Sequence, residues 1–190
     1  MELRNWNAEN VAIIDEFWHT EGQLKGYEAN AELILKKIGE NQSILEVGCG
    51  SGMNYQYLKG KVKEYICGDV SPKFLDVLRK RFPELNPIDL DIHNLPFKDN
   101  EYENVINMNV LQHLPYYKEP IKELVRIASK KVLIVTWCNT YEDILKVDGD
   151  FHSNFYRVNH MWDYCMTLPQ VKKVDYGKSV GQRYWILIEK

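Results

Sequence analysis

Residues 44–52, ILEVGCGSG, set an apolar stretch against a turn with glycine at every second position. Ile44, Leu45 and Val47 suit a strand covered on both faces, the condition of a strand inside a parallel sheet. Gly48, Gly50 and Gly52 follow, where a Cβ would keep ligand atoms away from the backbone. A nucleotide-type cofactor site is therefore predicted at the carboxyl end of this strand, with a helix beginning at or just beyond Gly52.

The turn reads GxGxG rather than GxGxxG, because Met53 stands where close helix-to-strand packing in dinucleotide-binding folds prefers a third glycine. A pyrophosphate ligand is disfavoured accordingly. About 20 residues on, YICGDVSP (65–72) reads as a second strand ending in Asp69, the place for an acid that accepts hydrogen bonds from two ribose hydroxyls. Ser71 then offers an N-cap and Pro72 a first helical residue, and Phe74, Leu75, Leu78 and Phe82 keep helical spacing until Pro83. PIDLDIHNLPF (87–97) supplies a third strand with Asp91 and Ile92 at its end. YENVINMN (102–109) reads as a fourth strand leading into VLQHLPYY (110–117), and KKVLIVTW (130–137) as a fifth. A helix marked by Ile121, Leu124, Val125 and Ala128 separates the last two.

This order of motifs over about residues 40–138 resembles the class I S-adenosylmethionine-dependent methyltransferases, and the LPF after Asp91 and Ile92 belongs to the same pattern. The resemblance implies an α/β fold, a three-layer Rossmann-like sandwich with a seven-stranded, mostly parallel sheet whose last strand is antiparallel. VKKVDYG (171–177) and RYWILIE (183–189) would close that sheet. It also implies S-adenosylmethionine as cofactor, with Gly48 and Gly50 at its methionine end, Asp69 at the ribose, Asp91 and Ile92 at the adenine, Asn109 near the methionine portion, and Val70 among the cofactor contacts. Glu46 matches the family's acid before the glycines and would orient the turn from behind.

At 190 residues and 45% hydrophobic content the chain suits one domain, 1–190, rather than two. Its longest apolar runs are far short of the roughly 20 residues a membrane span needs, and MELRNWN lacks a basic start followed by an apolar core, so a cytoplasmic protein without membrane contact is expected. Cys49, Cys67, Cys138 and Cys165 form no CxxC pair and stand at no metal-ligand spacing with histidine, which predicts reduced, space-filling thiols and no metal. A net charge of −3 argues against a chain that envelops nucleic acid. The clusters Lys59, Lys61, Lys63 and Arg79, Lys80, Arg81 read as solvated faces. Oligomeric state leaves no mark in the sequence.

Outside the motifs, residues 1–40 are read as a helical lid. Asn7 would cap a helix bearing Val11, Ile14 and Trp18 with Ile13 and Phe17 beside them, and a second helix with Ala31, Ile34, Leu35 and Ile38 would end at Gly39. HTEGQLKGY (19–27), with Gly22 and Gly26, is expected as a pliable link that turns Tyr27 toward the pocket. The segment 139–168 follows the fifth strand and is read as a substrate-side insertion. It carries His152, Phe155, Tyr156, Arg157, His160 and Trp162, a mixture suited to a binding wall.

In the chemistry the resemblance implies, the methyl group is already activated on a sulfonium, so the protein chiefly aligns a nucleophile. A protonated oxygen or nitrogen acceptor would gain from a general base, and His113 just after the fourth strand is the leading candidate, ahead of His152 and His160. Tyr27, His152, Tyr156 and Arg157 are the candidate acceptor contacts, the guanidinium matching an anionic group, and Trp137 with Tyr156 offers apolar walls. NMNVLQHLP replaces the NPPY-like sequence of base N-methylating enzymes, and no proline–cysteine pair is present. These features favour a small-molecule acceptor over nucleic acid. Methylation of a protein side chain, and a non-catalytic S-adenosylmethionine-binding subunit, stand as the alternatives.

Overall fold

The computed structural model describes residues 8–148 and 151–190. Helices α1 (Ala8–Trp18) and α2 (Glu21–Ile38) precede β1 (Ser43–Val47), followed by α3 (Met53–Leu58), β2 (Glu64–Asp69), α4 (Pro72–Arg81), β3 (Ile88–Asp89) and β4 (Tyr102–Met108). A 3-10 turn, Leu111–His113, leads to α5 (Lys118–Ile127) and β5 (Ala128–Asn139). Short strands β6 (Val147–Asp148), β7 (Phe151–His152) and β8 (Tyr156–Arg157) come before α6 (Val158–Met166), β9 (Lys173–Lys178) and β10 (Arg183–Glu189).

The main sheet runs β3-β2-β1-β4-β5-β10-β9. Its first five strands are parallel, and β10 enters antiparallel between β5 and β9. This is the predicted seven-stranded Rossmann-like sheet with an antiparallel final strand. β8 adds a short parallel pairing to the end of β5.

Strand alternation sorts the two cores. Leu45, Val47, Val105, Val132 and Ile134 face α5 and α6, whereas Ile44, Ile106, Leu133 and Val135 face α2, α3 and α4. Glu46 shares the second face and is fully buried there. The four cysteines are buried and unpaired. Among the described residues no helix is long and apolar enough to cross a membrane, and no cluster of metal-ligand side chains is found.

Several local expectations need correction. The segment expected as a pliable link is helical from Glu21, so α2 begins before both glycines. Gly26 is buried, and a Cβ there would lie 3.2 Å from Arg183 Nη1, so the glycine serves close packing of α2 over β10. Ala128 opens β5 instead of continuing α5. β3 is only two residues long, and Asp91 and Ile92 lie in the turn beyond it. Asn7, expected as the cap of α1, lies outside the described residues.

Candidate active site

The carboxyl ends of β1, β2 and β4 converge on the glycine turn. Gly48 and Cys49 N–H groups both donate to Gly68 O, at 2.8 and 3.0 Å, which ties the turn to β2. Gly48, Gly50 and Gly52 all adopt positive φ, of 82°, 53° and 82°. At Gly48 the requirement is doubled, since a Cβ would come within 2.3 Å of Val110 Cγ2.

Asp69 is held in place by the backbone. Its Oδ2 accepts from Gly50 N–H and its Oδ1 from Ser71 N–H, each at 2.9 Å. Burial raises the carboxyl above the usual carboxylate range, opposed by these amide donors. Each oxygen keeps lone-pair capacity for a hydroxyl donor. Ser71 also caps α4, accepting from Phe74 N–H at 3.4 Å. Glu46 does not reach the cavity. It accepts from Asn54 Nδ2 at 2.6 Å and from the Tyr65 hydroxyl, and so braces α3 and β2 behind the turn. Burial, followed by the lowering bond from Asn54 and the raising charge of Asp69, pushes its carboxyl up to about 8.

A cavity of about 200 Å³ opens over this turn. Gly48, Gly50, Asp69, Val70, Asp91, Ile92, Asn109 and His113 line it, as does Tyr27. Asn109, held at φ 60°, anchors its N–H on Val135 O at 2.7 Å, while its Oδ1 is a buried acceptor with no partner among the described residues. That orphaned oxygen and the doubly anchored Asp69 are what a cofactor bearing an amino group and a ribose diol requires. The residues present thus fit S-adenosylmethionine.

α1 and the first turns of α2 cover the site. Trp18 stacks on Phe74 at 5.0 Å between centroids and meets Tyr27 edge-on at 6.5 Å. Its ring atoms would lie 3.0 and 3.1 Å from a Cβ on Gly50. The helix is fastened by Arg81, whose guanidinium donates to Asp15 at 2.7 and 3.3 Å and to Ser51 O and Oγ, both at 3.1 Å. Burial would raise the Asp15 carboxyl, but the Arg81 fork, with the Ser51 hydroxyl and the His19 ring, more than offsets it and holds the group below the usual range.

On the other side stands His113, with Nδ1 2.9 Å from His152 O. A carbonyl only accepts, so Nδ1 carries the proton and Nε2 is the basic nitrogen, which accepts a long bond of 3.4 Å from Gln112 Nε2. Burial lowers the imidazole's proton affinity, with the His152 carbonyl opposing, so the ring is neutral near pH 7. Trp137 meets it edge-on at 5.7 Å and stacks on Phe155 at 5.3 Å.

The segment 139–168 contributes differently from expectation. None of its side chains lines the cavity. His152 reaches the site only through the carbonyl that orients His113. Tyr156 is 3% exposed, with its hydroxyl on Leu114 O at 2.5 Å and near Asn154 Nδ2 at 3.0 Å, a strut beneath the wall. Arg157 lies beside Asp143, which accepts from its N–H, and His160 is exposed with Nδ1 3.7 Å from the same carboxylate. Sequence reading missed Gln23, Asn54 and Arg183 as cavity residues, and placed Phe17 and Trp18 only on the apolar face of a lid helix. Arg183 had one available signal, its place at the head of RYWILIE, where antiparallel pairing sets it opposite Trp137.

The fold and the cradle together define a class I methyltransferase architecture. A family model described as a methyltransferase domain matches residues 45–136. The chain is 31% identical over 151 residues to the chloroplastic tocopherol O-methyltransferase of Arabidopsis thaliana, covering 70% of this chain and 42% of that one. It is 33% identical over 88 residues to ribosomal RNA small subunit methyltransferase A of Mesomycoplasma hyopneumoniae, covering 46% and 33%. The chain spans between a third and a half of the length of the curated relatives it matches first. In structure it is similar to the 1,6-didemethyltoxoflavin-N1-methyltransferase of Burkholderia thailandensis, solved with 1,6-didemethyltoxoflavin and S-adenosylhomocysteine bound, at a TM-score of 0.73 and 12% identity over 99% of this chain and 87% of that one.

Proposed function

We propose that the protein is an S-adenosylmethionine-dependent methyltransferase that acts in the cytoplasm on an oxygen or nitrogen of a small molecule. The observation that carries this reading is the continuity of one cavity from the Asp69 cradle to the neutral imidazole of His113 under the cover of α1 and α2. An acceptor space that continues the cofactor cavity under a helical cover suits a small molecule better than a polypeptide or a folded RNA. Two of the similar proteins have small-molecule substrates in their names, while a third is named for ribosomal RNA, so the cavity rather than the relatives carries the choice.

Bound S-adenosylmethionine supplies an activated methyl group on a sulfonium sulfur. Asp69 takes the ribose hydroxyls, Asp91 and Ile92 receive the adenine, and Asn109 accepts from the amino group of the methionine portion. Trp18 and Tyr27 exclude water from above. His113 Nε2 accepts the proton that the acceptor's oxygen or nitrogen loses, while the His152 carbonyl keeps Nδ1 protonated and the ring in register.

Calorimetric titration with S-adenosylmethionine, S-adenosylhomocysteine and NAD tests the reading. The first two should bind and NAD should not. Asp69→Ala should weaken binding roughly 100-fold or more, the loss of two hydrogen bonds to a charged group. Binding of NAD alone, or equal affinities in the variant, would refute it. Retained cofactor binding with no turnover across a small-molecule panel, and a stable partner in a pull-down, would instead identify a non-catalytic subunit.

A further inference from the structure

Arg183 is the first residue of β10 and pairs directly with Trp137 of β5 in antiparallel register. Directly opposed residues on antiparallel strands project to the same face, so guanidinium and indole stand side by side on the α2 face of the sheet. Trp137 in turn meets His113. The three form a row along the cavity wall, and all three line the cavity.

The guanidinium is half-buried, yet among the described residues no carboxylate pairs with it and no hydrogen-bond acceptor holds it. Of the three other partly buried arginines among the described residues two are saturated, Arg81 by Asp15 and Ser51, and Arg126 by Glu123, Asp99 and the carbonyls of Leu95 and Phe97, while Arg157 keeps a buried Nε without a partner but lies away from the cavity. Withdrawing a guanidinium from water without a counter-ion is costly, and burial does lower its proton affinity here, with only the Tyr27 phenol opposing. A bound anion would offset that cost.

We propose that Arg183 anchors a carboxylate or phosphate on the methyl acceptor, so that the substrate is an anionic molecule whose flat apolar part lies along Trp137 toward His113. The inference rests on the methyl-transfer reading of the same cavity. Position favours the acceptor as the source of the anion: β10 is separated from β1 by β4 and β5, a lateral distance of about 14 Å at normal strand spacing. The cofactor cradle lies at β1, β2, the turn after β3 and Asn109 just past β4, so its nearest part, the methionine end, is two strands from β10. The guanidinium fork matches a planar carboxylate or a phosphoryl group through two parallel hydrogen bonds, and it fixes the acceptor's orientation relative to the basic Nε2.

The test uses the full chain saturated with S-adenosylhomocysteine, titrated with benzoate, phenyl phosphate and neutral benzamide, and followed by tryptophan fluorescence and calorimetry. At least one anion should bind about tenfold or more tighter than benzamide, a difference of about 1.4 kcal/mol. Arg183→Met should erase the preference, and Arg183→Lys should retain part of it as a point charge. Equal affinities of wild type for anions and benzamide would overturn the anchor, as would no binding of either anion. A comparable loss of S-adenosylhomocysteine affinity in Arg183→Met would assign the guanidinium to the cofactor's own carboxylate and also overturn it. Failure of wild type to bind S-adenosylhomocysteine at all would remove the cofactor reading beneath both, which separates the two failures.

Discussion

The two walls of the cavity are built in opposite ways. On the cofactor wall, Gly48, Gly50, Asp69, Asp91 and Ile92 follow one another within 45 residues, each at the end of a strand or in the turn after it. On the acceptor wall, Tyr27, His113, Trp137 and Arg183 come from four distant parts of the chain and meet only because β10 pairs with β5 and α2 crosses above them. The first wall is made by local geometry and the second by long-range packing. Substitutions on the first should therefore act through cofactor affinity, and on the second through turnover.

The sharpest separation should come from His113→Asn. Removing a general base lowers turnover by about 100-fold, with cofactor affinity unchanged, as single-turnover methylation and calorimetry would record. The pH profile adds a sign. Because burial depresses the imidazole's proton affinity, the wild-type rate should hold across neutral pH and fall only as pH drops below the ordinary histidine value of 6.5, through the lowered one. The variant should lack that acid limb. Equal losses in rate and cofactor affinity would mean that the two walls are not separable at His113.

The same contrast explains what was legible in the sequence. A strand–glycine–acid–helix order is written in consecutive residues, so the sheet, the turn and the anchor Asp69 were all readable. The place of His113 on the cavity wall was also readable, since it lies shortly after a strand end. Tyr156 and Arg157 were misjudged because a dense run of aromatic and basic side chains carries no record of which way each points. Tyr156 points into the core, where its hydroxyl finds Leu114 O. Arg183 was missed for the converse reason: its partner Trp137 is 46 residues away, and only strand register brings them together. The apparent pliability of Gly22 and Gly26 was a further misreading, since both lie inside α2, and at Gly26 the missing side chain serves close approach to Arg183.

α1 bridges the two walls, so loosening it should produce an intermediate effect. Asp15→Asn keeps the shape of the side chain but removes the charge from the Arg81 fork. The pair is partly exposed, which limits its worth to about 1 kcal/mol or less. Cofactor affinity should fall by a few-fold, with faster amide exchange confined to α1, because Trp18 would no longer be held over Gly50. Unchanged exchange in α1 would show that stacking on Phe74 alone seats the helix.

The smallest effect on function is expected at Glu46, which belongs to the cofactor wall but sits behind it. Its carboxyl, ordinarily near 4.5, is pushed up to about 8 by burial, so it retains its proton in the fold at neutral pH. A raised folded value means that the stabilisation is fully present below the unfolded value and is lost as pH rises through the folded one. Wild-type stability should accordingly decline between about pH 4.5 and pH 8, in urea melts at a series of pH values. Glu46→Gln cannot ionise, and its amide can still meet Asn54 and Tyr65, so its stability should be flat across that interval and overtake wild type at the alkaline end. Cofactor affinity at neutral pH should stay within about twofold, since the side chain reaches the turn only through α3 and β2. Parallel stability curves for the two proteins would mean that Glu46 is ionised in the fold. The donors Asn54 and Tyr65 would then hold a carboxylate rather than an acid, and the negative charge behind the glycine turn would become part of what attracts a sulfonium to this wall.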